Sequence, residues 1–268
     1  MKHPQELRKI DKDLPAGLFM PITYPSMITL YDLPSKAANS PGTMITWRTR
    51  YALNLKNLPY QTIYIELPDI EALAKKIGAS PTSTKPDGVS PFYTIPIIQD
   101  DSTGAVVSDS AAIAAYLDKT YPSSGPVLIP AGTMTLQLAF ADAVNDAFNH
   151  LRLPLFYSDM VVKMNGRTTV YMREKFSKLE APEGEEREKL WAITRENLGK
   201  INRWFEGSVG EFVMGSEPCF ADTAICGFLW FTRRVVGEES GEWKDIASWN
   251  DGRWRRYLES FKPYEKIL

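Results

Sequence analysis

A carboxylate between two hydroxyls, Ser108-Asp109-Ser110, stands directly before Ala111, Ile113, Ala114 and Leu117, which recur as a helical stripe. All three polar side chains can cap, so the spacing predicts a helix N-terminus at this point. Free backbone amides at a helix start attract an anionic group, whereas a capping carboxylate discourages a purely anionic ligand. A zwitterion satisfies both. The plainer reading is that Ser108 or Asp109 serves only as the cap. Just upstream, Thr94 to Ile98 is β-branched with a proline at Pro96, and proline in a strand pattern belongs at an edge, a bulge or a first residue. Asp100 to Gly104 has turn chemistry and Ala105 to Val107 is a second apolar run, so the segment predicts a hairpin. The hairpin sets the helix start beside a strand end.

Other reactive residues are scarce. Of two histidines, His3 lies in the leader and His150 mid-chain, so a histidine-rich metal site or a Ser-His-Asp triad would rest on His150 alone. His150 is expected to be an ordinary helix residue, and no metal is expected. Cys219 and Cys226 fall on one helix face about two turns apart, too far for a disulfide. Buried, reduced thiols in a cytoplasmic protein follow. Hydrophobic residues make up 44% and charged residues 24% of the 268, and the net charge is -2. Such a chain has no field for nucleic acid, and its apolar runs are too short to span a membrane.

The elements that must hold the hairpin and helix follow in order. Residues 1–26 are expected to form a flexible extension without a signal peptide. Ile28 to Tyr31 predicts a strand and Asp32 to Thr46 a loop. Trp47, Tyr51 and Leu55 predict an amphipathic helix with Arg48, Arg50 and Lys56 between, and Tyr60 to Leu67 a second strand. A parallel βαβ unit results. A helix over Asp69 to Ile77 and a long loop from Gly78 to Pro91 complete a β-α-β-α-β-β-α order within residues 27–120. Residues 121–130 are a linker. Residues 131–268 predict an all-helical domain: helices over Thr133 to Leu151, Tyr157 to Met164, Glu183 to Phe205, Phe220 to Val236 and Trp254 to Phe261.

Three motifs carry a family resemblance. Thr-Ile-Pro-Ile at 94–97, Ser-Asp-Ser-Ala-Ala-Ile at 108–113 and Pro-Cys-Phe-Ala-Asp-Thr-Ala at 218–224 resemble the strand-entry proline, the acidic-Ser pair and the helical-domain capping box of the glutathione transferases. The resemblance implies a thioredoxin-like domain followed by a helical bundle. Cys219 departs from the pattern, because Ser or Thr usually caps there. At finer grain, Leu-Tyr-Asp-Leu-Pro-Ser at 30–35 and Trp-Arg-Thr-Arg-Tyr-Ala-Leu-Asn at 47–54 resemble the fungal-specific class A transferases, related to lignin β-etherases.

The resemblance implies glutathione as co-substrate. Its γ-glutamyl end would meet Asp109 and Ser110, and its cysteinyl backbone would pair with Ile95 beside a cis Pro96 like an added strand. Its thiol would face the loop before the first helix, where Ser40, Thr43 and Thr46 are candidate hydroxyl donors. Ser40-Pro41 matches the Ser-Pro of related enzymes but lies seven residues before Trp47 rather than four, the position Thr43 holds. A free thiol has a pKa of about 8.5, and lowering it takes roughly 1.4 kcal/mol for each tenfold gain in thiolate over thiol. A hydrogen bond to a charged acceptor supplies roughly 1.5–3 kcal/mol. The acceptor pocket would lie between the domains, with Phe148, Arg152 and Tyr157 as wall residues, and Lys85 or Ser83 could meet the glycyl carboxylate. Three functions are expected to compete: transfer to aromatic electrophiles or β-aryl ethers, ligandin-type sequestration of hydrophobic aromatics, and a non-catalytic regulatory module. The family also implies a homodimer.

Overall fold

A computed structural model of the chain describes residues 27–36, 43–150 and 155–268. The expected extension at 1–26 lies outside them. Strand β1 (Ile28–Asp32), helix α1 (Met44–Leu55) and β2 (Tyr60–Tyr64) form the parallel βαβ unit, with Ile28 opposite Tyr60 and Asp32 opposite Tyr64. Helix α2 (Ile70–Ile77) leads to a small hairpin of β3 (Ser83–Thr84) and β4 (Pro91–Phe92). Strands β5 (Ile97–Asp100) and β6 (Ala105–Ser108) then pair antiparallel and precede α3 (Ser110–Thr120). The four-stranded sheet runs β2-β1-β5-β6, with β1 and β5 antiparallel. This is the thioredoxin-like domain.

Several boundaries differ from the sequence pattern for local reasons. The segment from Gly78 to Pro91 is not one loop, because Asp87 Oδ1 accepts the amides of Val89 and Ser90 and turns the chain back on itself. Strand β2 stops at Tyr64, and Pro68 sits in a 3-10 turn over Leu67–Asp69. Pro96 has no N–H to give a ladder, so β5 starts after it rather than at Thr94. Helix α1 starts at Met44 rather than near Trp47, because Thr43 caps it.

The second domain is helical: α4 (Met134–His150), α5 (Tyr157–Val162), α6 (Gly166–Lys175), α7 (Gly184–Glu206), α8 (Phe220–Val236) and α9 (Gly241–Ser260). Helix α8 is its apolar axis. At its N-terminus the fully buried Asp222 accepts the Cys219 amide (2.7 Å), the Val213 amide (2.8 Å) and the Tyr257 hydroxyl. The carboxylate half of the capping box therefore forms although a thiol occupies the capping position. Burial raises the Asp222 carboxyl above its ordinary range.

Helix α1 is not amphipathic in its surroundings. The sheet covers one side and α8 the other, so the intervening cations are buried and each has a partner. Arg48 donates to Asn145 Oδ1, and Lys56 Nζ reaches Asp118 at 3.1 Å. Asp118 also accepts the amides of Leu128 and Ile129, fastening the 121–130 segment across the base. Where α1 crosses α8, the Trp47 and Trp230 rings lie 4.0 Å apart. A Cβ on Gly227 would come within 2.8 Å of the Met44 carbonyl oxygen, so the crossing requires glycine.

Candidate functional site

The hairpin and α3 bring the sequence-predicted polar groups together. The antiparallel register sets Ser108 opposite Ile97, and the Asp109 amide donates to the Pro96 carbonyl at 3.3 Å. Asp109 and Ser110 therefore flank the cis Ile95-Pro96 bond. Asp109 is the helix cap: its Oδ1 accepts the amides of Ala111 (2.9 Å) and Ala112 (3.1 Å). Ser108, also expected as a possible cap, instead ends β6 with its hydroxyl buried and unpartnered among the described residues. Asp109 takes φ +79°, a left-handed value that a non-glycine residue rarely adopts and that costs of order 1–3 kcal/mol.

Capping uses only half of what these residues offer. Among the described residues, Asp109 Oδ2, the Ser110 hydroxyl and the Ile95 N–H and carbonyl make no hydrogen bond. One edge thus presents a carboxylate oxygen, a hydroxyl, a backbone donor and a backbone acceptor. This set fits a peptide-like zwitterion.

The three hydroxyls considered before α1 have different fates. Ser40 lies outside the described residues. Thr46 is fully buried, with its Oγ1 2.6 Å from Asp32 Oδ1, so its proton is engaged. Thr43 caps α1: its Oγ1 accepts the Ile45 amide at 3.2 Å and meets only the weak acceptor Met44 Sδ at 3.9 Å. Beneath them, Asp32 accepts Arg50 at 2.9 Å, with both side chains fully buried. Arg50 also reaches the Tyr60 hydroxyl (3.2 Å) and Thr62 Oγ1 (3.1 Å). Burial raises the Asp32 carboxyl, and the adjacent guanidinium opposes that rise.

Thr43 and Ile95 line one cavity of about 290 Å³ between the two domains. Its walls include Met44, Met160, Met164 and Met172, and the aromatics Phe92, Tyr93, Tyr171, Phe176 and Phe231. Helix α6 with Phe176, and the aromatics Phe92 and Tyr93, supply much of this wall, and the sequence pattern assigned none of them to the site. The Tyr171/Lys175 and Met172/Phe176 pairs, each four residues apart, were the available signal.

Of the expected acceptor-wall residues, Phe148 and Tyr157 do not line the cavity. Phe148 is 1% exposed and stacks on Phe228 at 4.8 Å, so it belongs to the core and lines no part of the cavity. Tyr157 stands behind the wall, donating to the Met172 carbonyl at 2.9 Å and packing on Phe176. Arg152 lies outside the described residues. Lys85 pairs with Glu71 at 2.8 Å, and Ser83 is exposed on β3. Burial raises both cysteine thiols, so neither is a ready thiolate. Among the described residues, no three His, Cys, Asp or Glu side chains are grouped to hold a metal, and no helix is long and apolar enough to cross a membrane.

Known proteins share this architecture. The chain matches the family profile described as glutathione S-transferase, N-terminal domain, over residues 45–120, and the C-terminal domain profile over 135–264. A crystal structure of the glutathione S-transferase CsGST63524 of Ceriporiopsis subvermispora in complex with glutathione is 39% identical, with TM-score 0.84. That match covers 90% of this chain and 99% of the other. Glutathione transferase GSTFuA3 from Phanerochaete chrysosporium is 33% identical, with TM-score 0.82, covering 90% and 98%. The glutathione S-transferase-like protein ustS of Aspergillus flavus is 27% identical over 242 residues, 80% of this chain and 83% of that protein. A thioredoxin-like domain followed by a helical bundle, the two profile matches and relatives 33–39% identical over 90% of the chain all agree. The chain belongs to the glutathione transferase family and is a glutathione transferase.

Proposed function

We propose that Ile95, Pro96, Asp109 and Ser110 hold glutathione, and that a hydroxyl at the start of α1, from Ser40 or Thr43, stabilises its thiolate. The acceptors are hydrophobic aromatic electrophiles, including β-aryl ethers. One observation carries this reading: the unpaired Ile95 backbone and the Thr43 hydroxyl open on a single cavity between the domains. Two Ceriporiopsis relatives that were crystallised with glutathione support it. Asp109 Oδ2 would receive the amino group and the Ser110 hydroxyl the carboxylate of the γ-glutamyl end, while the N-terminus of α1 favours negative charge on sulfur. Glutathione itself supplies the nucleophilic sulfur. The chain's part is to orient the tripeptide, donate a hydrogen bond to the thiolate, and surround the acceptor with apolar walls.

The test is thiolate absorbance against pH for glutathione bound to Ser40→Ala and Thr43→Ala. Loss of the true donor is expected to move the thiolate titration up by about one pH unit, equivalent to ~1.4 kcal/mol. If neither substitution moves it, the hydroxyl mechanism is wrong. A ligandin role is favoured by the four methionines of the cavity, whose flexible thioethers adapt to varied rings. Turnover of a model electrophile, measured beside displacement of a bound aromatic probe, separates the two roles.

A further inference from the structure

We infer that Lys175 selects the acceptor by charge, so that the cavity prefers aromatic electrophiles carrying a carboxylate over their neutral counterparts. The inference rests on the reading of the cavity as the acceptor site. Among the described lining residues, Lys175 is the one cation, and no carboxylate stands with it. It has no ion-pair partner among the described residues, unlike Lys75, Lys85 and Arg167 nearby in the fold.

Its place is also unusual for an exposed lysine. The ammonium lies 5.9 Å from the ring centre of Phe92, 5.6 Å from Tyr171 and 5.8 Å from Phe176. Phe92 belongs to the thioredoxin-like domain and the other two to the helical domain, so the charge sits across the join between domains. Three ring faces hold the ammonium by their quadrupoles without neutralising it. An aryl acceptor entering among these rings would find apolar contact on its faces and one unsatisfied positive charge at its edge. A carboxylate on the ring completes that arrangement by a charge-assisted hydrogen bond, which a neutral amide in its place forms only weakly.

The test compares 4-chloro-3,5-dinitrobenzoate with its neutral carboxamide in the wild type, Lys175→Gln and Lys175→Arg. In both reactions the C–S bond forms as the C–Cl bond breaks; chloride leaves with the bonding pair and the thiol proton passes to solvent. Each rate is divided by the uncatalysed rate with glutathione, which removes the intrinsic difference between the two rings. The carboxylate-to-amide ratio of kcat/KM is expected to fall by roughly tenfold in Lys175→Gln and to persist in Lys175→Arg. Binding of 3,5-dinitrobenzoate and 3,5-dinitrobenzamide, followed by tryptophan quenching without turnover, should change in the same ratio. An unchanged ratio in Lys175→Gln overturns the role of Lys175. If 1-chloro-2,4-dinitrobenzene is turned over while neither dinitrobenzoyl compound binds, the charge selection is wrong and the acceptor cavity stands. If none of the three is turned over or bound, both readings fall.

Discussion

Two buried carboxylates do the same structural task in the two domains by different means. Asp32 fixes the first turn of α1 through Thr46, and Asp222 fixes the first turn of α8 through the Cys219 amide. Both are fully buried, and burial raises both carboxyls. Asp32 has a guanidinium against it besides two dipoles, the Thr46 hydroxyl and the Leu33 amide, whereas Asp222 has dipoles alone: two amides and the Tyr257 hydroxyl. Each carboxylate thus has three partners, but only at Asp32 does one of them, Arg50, supply a full opposing charge. Charge compensation beneath the proposed thiol site thus rests on a single residue.

Removing the cation should therefore have the largest effect. Arg50→Met leaves Asp32 buried without compensation and is expected to cost about 3–5 kcal/mol in chemical denaturation, with most of it recovered in Asp32→Leu/Arg50→Met. Asp222→Asn keeps one acceptor and introduces a donor against donors, so a loss of about 1–3 kcal/mol is expected by the same measurement. Were Asp222→Asn to cost as much as Arg50→Met, charge would not be what separates the two sites. The smallest effect comes from the exposed Glu71, which hydrogen bonds from Lys75 and Lys85 hold at about 2. Its sign is opposite to that of the buried pair. A lowered carboxyl adds stability above its ordinary pKa of 4.5 and loses it as pH falls toward 2, whereas a raised one loses its contribution as pH climbs above the ordinary value. A carboxyl-carbon NMR titration of Glu71 midway near 2 is the expected result; a midpoint near 4.5 would mean that the lysine pairs do not persist in solution.

Legibility in the sequence followed how local the physics was. The run from Phe92 to Leu117 carries its own hairpin, strand-entry proline and cap, so Ile95, Asp109 and Ser110 could be read together without knowing anything distant. Helix α8 was legible end to end because it carries a long apolar run from Ala224 to Phe231. Helix α6 escaped because its sequence is mostly polar, with only Thr168 and Met172 buried. Helix α9 was recognised only from Trp254, because Asn250, Asp251 and Gly252 take left-handed backbone angles that interrupt its periodicity. Phe148 and Lys175 depend on which faces of distant helices meet. A stripe at helical spacing cannot say whether an aromatic packs inward on Phe228 or lines a cleft. Nor does a lone lysine announce the three rings around it.

The Trp47–Trp230 pair also has an optical consequence. Two indoles at 4.0 Å, one from each domain, couple their electronic transitions. The protein therefore carries a native chromophore pair whose near-ultraviolet circular dichroism reports whether the domains are joined. Gly227 lets α8 approach the Met44 carbonyl at the same crossing, so a bulkier side chain there is expected to change that signal.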